Sequence, residues 1–164
     1  MDTWQAIDLA APDESRRLLN RACGSSRWVD RMLARRPFGS RDAMLSAADQ
    51  EWHALGEDDW REAFTHHPKI GDRESLRQRF PQTHALSAHE QSGVGGAPDA
   101  VVDALAEGNR RYEQKFGYIF IVCASGLTAE GMLARLTARL GNSPAQEIVV
   151  AAAEQARITA LRLG

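Results

Sequence analysis

The sequence predicts an all-α protein, a single compact helical domain of about eight helices with one short extended buried segment. Most of its 164 residues fall into segments with apolar residues at helical spacing, and glycine and proline separate these segments. One run, 118–124, is instead continuously apolar and rich in aromatic and β-branched residues. A chain of this length can bury one core but is short for two, so we expect one domain, 1–164.

The first half of the chain contains four predicted helices with clear end signals. Ser40 is a good N-cap for the third of them, and Pro37 ends the segment before it. Pro68 disfavours αR geometry in the residue before it, so the fourth helix is expected to end there. The predicted segments are 12–24, 25–39, 40–56 and 57–67.

The second half begins with a looser, glycine-containing region and then returns to regular helix. Pro98 suits the first turn of a helix, and Ser143 with Gln146 has the spacing of a capping box around Pro144. The long predicted helices are 98–117, 128–142 and 143–163, with short candidates at 72–80 and 87–92.

The run "YIFIVCA", 118–124, favours an extended and buried conformation. The chain offers no second strand to pair with it, yet its backbone N–H and C=O groups need partners. Those partners are a helix terminus, water or a polar ligand. The segment is therefore a candidate for ligand contact.

Composition excludes several classes of function. The formal net charge of −2 and the interleaving of acidic with basic residues argue against a nucleic-acid or anionic-membrane surface. No apolar run approaches the length of a membrane span. We therefore expect no nucleic-acid partner and no membrane association.

The cysteines indicate a reducing compartment and no zinc site. Cys23 and Cys123 form no CxxC pair and lie far from metal-ligand spacing with histidine. No signal peptide is recognisable, and the ending "LRLG" is not a peroxisomal address. The cytoplasm is the expected location, and no metal is expected.

"FTHHPKIGD", 64–72, raises the question of whether a histidine does chemistry. A histidine at a helix C-terminus is favoured by the helix dipole alone, which is the simplest interpretation of His67. Its imidazole also titrates near neutral pH, and Pro68 restricts the backbone beside it. Helical periodicity does not choose between His67 and His66. His84 and His89 are five residues apart, which does not place them on one helix face for metal binding.

Two further polar positions have a structural and a functional interpretation. Ser87 and Glu90 in "SAHEQSG" have the spacing of a capping box, but a short turn in a glycine-rich loop also presents polar groups to ligands. Arg162 lies in the last predicted helical turn, where a cation offsets the dipole. Arg157 fits a functional role nearly as well as Arg162.

Taken together, these stretches resemble one family, the 2-oxo-4-hydroxy-4-carboxy-5-ureidoimidazoline (OHCU) decarboxylases. The resemblance covers nearly the whole chain, because the motifs occur in the family's order and approximate spacing. They are "WVDRMLARRPF", "HHPKIGD", "SAHEQSG", "NRRYEQKFGYIFIVCASG", "MLARLTARLGN" and "EQARITALRL". The resemblance implies an all-helical, cofactor-free enzyme that forms a homodimer. This enzyme converts OHCU to (S)-allantoin and carbon dioxide in urate (purine) degradation.

The resemblance also implies the site residues. The family's catalytic histidine immediately precedes a proline, which selects His67 over His66. The family's catalytic glutamate falls on Glu90 and its catalytic arginine on Arg162. The implied substrate contacts are Pro68, Ser87, Gln91, Phe120, Ile121, Val122, Cys123 and Ala124.

The reaction needs no cofactor, because the electrons left by the departing carboxylate delocalise into the unsaturated ring of the substrate. Two alternatives compete with this interpretation. One is a non-catalytic helical binding or dimerisation module on the same scaffold, and the other is a lyase or hydrolase acting on a related ureido-ring compound. The joint presence of His67, Glu90 and Arg162 favours the enzyme, since a pure scaffold has no reason to keep all three.

Overall fold

The computed structural model describes residues 1–69, 71–81 and 98–164. These residues form nine α-helices and no strand, which confirms the all-α prediction. The candidate helix at 87–92 lies outside the described residues. The helices are α1 (Thr3–Leu9), α2 (Pro12–Ala22), α3 (Ser26–Ala34), α4 (Arg41–His53), α5 (Glu57–Thr65), α6 (Arg73–Arg79), α7 (Asp99–Phe116), α8 (Ala129–Leu140) and α9 (Pro144–Leu163).

Helix α1 was not predicted, because it has only seven residues and a single buried side chain, that of Ile7. Its start is fixed locally, since the backbone N–H of Asp2 donates to Oε1 of Gln5 at 2.9 Å. Its far end is tied to a distant turn, because the carboxylate of Asp8 accepts the N–H groups of Phe38 and Gly39 at 2.9 Å. A short helix is thus held by tertiary contacts and not by its own periodicity.

The predicted caps agree with the structure except at one proline. Ser40 accepts the N–H of Ala43 at 3.1 Å. The capping box of α9 is complete, with Gln146 N–H donating to Ser143 Oγ at 3.2 Å and Ser143 N–H donating to Gln146 Oε1 at 2.9 Å. Pro98 was expected in the first turn of α7, but it is the N-cap residue, with φ −60° and ψ 151°.

The described residues divide into two compact units, one formed by 1–67 with 150–164 and the other by 68–149. In the first unit, buried tryptophans tie helices together through their indole N–H groups. Trp28 on α3 donates to the Ala48 carbonyl at 3.1 Å, and Trp52 on α4 donates to the Ala152 carbonyl at 2.9 Å. The prediction of one domain over 1–164 stays a prediction.

In the second unit, α7 leads into the segment that was predicted to be non-helical. Gly117 ends α7 with φ of +84°, a left-handed conformation that glycine adopts without a Cβ penalty. Residues 119–124 then form neither helix nor strand. Ile121 and Cys123 are buried, while the residues between and beside them are half-buried. The prediction of a non-helical core segment is therefore confirmed.

In the part of the chain that the structure describes, no helix combines the length and the apolar character needed to cross a membrane.

Candidate functional site

His67 lies just beyond the C-terminus of α5. His66 is the C-cap residue of that helix and keeps αR geometry, with φ −85° and ψ −4°. The backbone N–H of His67 donates to the Phe64 carbonyl at 3.3 Å, which continues the helical turn by one residue. Pro68 follows and prevents further helix. The side chain of His67 is half-buried.

A glutamine that the sequence interpretation did not single out is the hydrogen-bond partner of His67. Oε1 of Gln155 on α9 lies 2.5 Å from Nε2 of His67. Gln155 is fully buried, and its amide Nε2 donates to Oγ1 of Thr159 at 3.1 Å. The Thr159 hydroxyl in turn donates to the Ala22 carbonyl at 3.4 Å, at the end of α2. The imidazole is thus held by a chain of polar groups that crosses from α9 to α2.

Burial lowers the pKa of His67 from its ordinary value of 6.5, because the charged imidazolium is poorly solvated there. The hydrogen bond to Gln155 opposes this effect, while the positive charge of Arg162 and the neighbouring His66 add to it. His67 is therefore a neutral imidazole at neutral pH. In that form one ring nitrogen donates a hydrogen bond and the other accepts a proton.

His66 has a different environment from His67. Its side chain is exposed at the surface, but its ring lies against the backbone of Gly24, where α2 connects to α3. A Cβ atom placed on Gly24 would lie 2.4 Å from Cγ of His66, so only glycine allows this approach. His66 therefore has a packing role.

Arg162 is a residue of α9, and its guanidinium lies at the C-terminus of α2. Its Nη1 donates to the carbonyls of Ala22 at 3.4 Å and Arg21 at 3.5 Å, so it meets the negative end of that helix. The sequence predicts that Arg162 offsets the dipole of its own helix, α9. In the structure its guanidinium meets the negative end of a neighbouring helix, α2. Arg157, the competing residue, is exposed and forms an ion pair at 3.1 Å with Glu154, which is largely buried. Only Arg162 of these two arginines contributes to the pKa of His67.

The second unit contains the predicted contact run, Phe120 to Ala124, and arginine side chains hold its backbone. Nη1 of Arg139 donates to the Ile121 carbonyl at 2.7 Å, and its guanidinium lies 4.4 Å from the centre of the Phe120 ring. Nη2 of Arg79 donates to the Ala124 carbonyl at 3.4 Å. The backbone partners were expected to be a helix terminus, water or a ligand. In the structure, the guanidinium groups of Arg139 and Arg79 donate to backbone carbonyls of this run.

A buried carboxylate fixes Arg139. Glu147 is fully buried and accepts from Nε of Arg139 at 2.6 Å, from the Tyr112 hydroxyl at 2.6 Å and from Nδ2 of Asn142 at 2.9 Å. Burial and the hydrogen bond to Glu147 raise the pKa of Tyr112 well above its usual value, so Tyr112 stays a donor. Because these donors and acceptors are paired with one another, the network keeps the buried ion pair of Arg139 and Glu147 in one geometry.

A sequence signal for Gln155 and Arg139 existed. Arg139 falls three residues after Leu136 and seven after Met132, on the buried face of α8. Gln155 falls four residues after the buried Ala151 on α9. A polar residue at an apolar-face position must have a buried partner. The sequence does not say which partner.

Three predicted residues, Ser87, Glu90 and Gln91, lie outside the described residues, as do His84 and His89. Pro68 is described and exposed. Among the residues that the structure describes, no three His, Cys, Asp or Glu side chains are grouped so that they could hold a metal ion. Of the three predicted catalytic residues, the structure thus places His67 and Arg162.

Comparison with known proteins identifies the family of this chain. The sequence matches the family described as OHCU decarboxylase over residues 9–164. The uric acid degradation bifunctional protein TTL of Arabidopsis thaliana is 40% identical over 141 residues, which are 86% of this chain and 44% of that protein. The OHCU decarboxylase of Amia calva is 46% identical over 101 residues, 59% of this chain and 55% of that protein. The chain therefore matches about half the length of these curated relatives.

Solved structures share the fold. A crystal structure of OHCU decarboxylase in the presence of (S)-allantoin is 33% identical, with a TM-score of 0.71 over 94% of this chain and 96% of that one. A crystal structure of (S)-allantoin synthase, 18% identical with a TM-score of 0.70, covers 99% of this chain and 53% of that one and shows the fold alone. Because the family match spans almost the whole sequence and a relative of 33% identity has the same fold, the chain belongs to the OHCU decarboxylase family.

Proposed function

We propose that this protein decarboxylates OHCU to (S)-allantoin in urate degradation. The observation that carries the proposal is the state of His67. It is half-buried, its pKa lies below the ordinary value because of burial, and a buried glutamine holds one of its ring nitrogens. A fixed neutral imidazole beside a cation is suited to proton transfer at neutral pH. Membership of the family supplies the substrate class.

The chemistry places modest demands on the protein. The bond between the hydroxyl-bearing ring carbon and its carboxylate breaks, carbon dioxide leaves, and the electron pair delocalises into the neighbouring C=N bond of the ring, which leaves an enol or enolate at the hydroxyl-bearing carbon. A proton delivered to one face of the neighbouring, ureido-bearing carbon, while the hydroxyl loses its proton and becomes a carbonyl, then gives one enantiomer of allantoin. The protein has to orient the substrate, stabilise the enolate and direct the proton. No organic cofactor and no metal is part of the proposal.

Each residue of the family pattern has a proposed role. His67 exchanges a proton with the substrate, and Glu90 helps to orient the imidazole. Arg162 binds anionic or carbonyl oxygens through its planar guanidinium. It should not bind the departing carboxylate tightly, because equal stabilisation of the ground state and the transition state gives no acceleration. The proposed substrate contacts are Pro68, Ser87, Gln91, Phe120, Ile121, Val122, Cys123 and Ala124.

The proposal extends to assembly and location. We expect a homodimer, which the family resemblance supports, in the cytoplasm, which the two buried thiols Cys23 and Cys123 support. Sedimentation equilibrium checks the first point, because a dimer has about twice the chain mass of 18.1 kDa. A mass of one chain at micromolar concentration would contradict it.

The activity is tested by circular dichroism on freshly generated OHCU. Spontaneous decay gives racemic allantoin, so we expect an optical signal of (S)-allantoin only when the protein is present. The His67→Asn variant serves as the control for a contaminating activity. A protein that binds OHCU but leaves the product racemic would be a binding module, and turnover of a different ureido-ring compound alone would correct the substrate.

A further inference from the structure

The hydrogen-bond chain behind His67 has a direction, and the direction assigns the tautomer of the imidazole. The chain consists of Nε2 of His67, the side-chain amide of Gln155, the hydroxyl of Thr159 and the carbonyl of Ala22. Gln155, Thr159 and Ala22 are buried, so water does not compete for their polar groups. The last group, a carbonyl, only accepts.

The hydroxyl of Thr159 has one proton. With that proton donated to the Ala22 carbonyl at 3.4 Å, Oγ1 of Thr159 accepts from the Gln155 amide nitrogen at 3.1 Å. The carbonyl oxygen of the Gln155 side chain then faces His67 at 2.5 Å. An oxygen at that position only accepts, so Nε2 of His67 has to carry the proton.

The opposite orientation of the Gln155 amide is less favourable. Its nitrogen would face His67, and its oxygen would take the Thr159 proton. The Thr159 oxygen and the Ala22 carbonyl oxygen would then lie 3.4 Å apart with no proton between them, in a buried site. The Ala22 carbonyl would keep its donor Arg162 Nη1 at 3.4 Å but would lose the hydroxyl of Thr159, so this orientation makes one hydrogen bond fewer in a buried site.

We propose that Gln155, fixed by Thr159, is a positioning residue that holds His67 as the Nε2–H tautomer and so makes Nδ1 the nitrogen that exchanges a proton with the substrate. The proposal rests on the proposed decarboxylase function for the role of Nδ1.

The choice of an amide at position 155 has a chemical reason. An amide orients the ring without adding charge, whereas a carboxylate at the same place would stabilise the imidazolium. The charged or titratable groups that act on His67 from the described elements are Arg162 and His66, and both favour the neutral ring. Gln155 therefore sets the tautomer while the ring stays a base.

The tautomer is measured directly by nitrogen NMR on the intact protein labelled at histidine, above the pH at which His67 titrates. We expect a protonated Nε2 and an unprotonated Nδ1, with the resonances assigned by their loss in His67→Asn. A wild-type His67 protonated on Nδ1, or an even mixture of the two tautomers, would overturn the proposal. The measurement needs no turnover, so it separates this proposal from the proposed function.

Kinetics of two Gln155 variants test the positioning role. In Gln155→Leu the ring loses its acceptor, and we expect kcat to fall on the order of 10²-fold with little change in KM. In Gln155→Glu the acceptor is kept, so most activity returns, but the acidic limb of the kcat profile moves to higher pH because the added charge raises the pKa of His67. Equal losses in both variants with no shift of the profile would contradict the proposal.

Thr159 provides the matched control. Thr159→Ser keeps the hydroxyl and is expected to keep the tautomer, whereas Thr159→Val removes it and is expected to mix the two tautomers. Both variants retain Gln155, and valine has nearly the shape of threonine, so we expect both to fold, which far-UV circular dichroism checks. An unchanged His67 tautomer in Thr159→Val would show that Thr159 does not orient the amide.

Discussion

At the scale of single residues, two adjacent histidines have different surroundings and therefore different expected roles. His67 is half-buried against Gln155, while His66 is exposed and its ring covers Gly24. We predict that His67→Asn lowers kcat on the order of 10²-fold or more, the usual scale for a general acid–base group. His66→Asn should change kcat little. Steady-state kinetics on OHCU measure both, and equal activity of the two variants would contradict the assignment.

His67 should also make stability depend on pH. Burial lowers its pKa below 6.5 in the folded chain, so between the folded and unfolded pKa values the unfolded chain binds more protons. The free energy of unfolding therefore rises with pH in that window. The contribution of a neutral His67 is complete above pH 6.5 and is lost as the pH falls through the folded-state pKa.

Urea unfolding at several pH values measures this contribution. We predict that the difference in unfolding free energy between the wild type and His67→Asn becomes less favourable to the wild type as the pH falls below 6.5. His66→Asn serves as the comparison variant. A wild-type to His67→Asn difference that stays constant over the whole pH range would exclude the effect.

The sequence pointed to His67 but not to Gln155, because these two residues are far apart in the chain. The His-Pro pair is a local pattern, so it can be read from adjacent residues. The partner of His67 is 88 residues away, and no spacing rule connects them. Glutamine also has no strong preference for a catalytic role, so only its position on a buried helix face could have marked it.

At the scale of elements, features set by neighbouring residues were predicted from the sequence, and features set by distant residues were missed. Caps such as Ser40 and Ser143 act over three residues, so the sequence contains both partners. The run 118–124 was identified by its composition, but its partners come from other helices. Arg139, which holds Ile121, lies 18 residues further along the chain. Side-chain donors to a backbone segment are a tertiary feature that composition does not encode.

The buried pair of Arg139 and Glu147 should be costly to break and less costly to replace. We predict that Arg139→Met lowers the free energy of unfolding by about 3 kcal/mol, because Glu147 is left as a buried charge without its cation. The double variant with Glu147→Leu should recover part of that loss. Urea unfolding measures both. Full stability of Arg139→Met would show that the pair is not a buried, coupled one.

The same variants test the link between this pair and the contact run. In the stable double variant the Ile121 carbonyl still lacks its guanidinium donor, so we expect KM for OHCU to rise. Arg110→Met is the control, because the Arg110 and Glu107 side chains are more than half exposed and such pairs contribute little. An unchanged KM in the double variant would mean that Arg139 acts only on stability.

At the scale of the whole molecule, the prediction of one domain can be tested with the native chromophores. All the tryptophans fall in 1–67, in the first compact unit, whereas far-UV circular dichroism reports helices of both units; they are Trp4, Trp28, Trp52 and Trp60. One domain predicts that fluorescence and circular dichroism give the same unfolding midpoint. Separate midpoints would show that the two units unfold independently.

The protein should also work without a metal or an organic cofactor, because the substrate supplies its own electron acceptor. When carbon dioxide leaves, the ring C=N bond next to the reacting carbon takes the electron pair, and a cation such as Arg162 with oriented donors can stabilise the resulting enolate. We predict that exhaustive chelation followed by gel filtration leaves kcat for OHCU unchanged, with the product still optically active. The matched control is a mock treatment without chelator, assayed for allantoin by circular dichroism. Loss of activity on chelation, restored by a divalent metal and not by buffer alone, would overturn the prediction and would require a metal in the site.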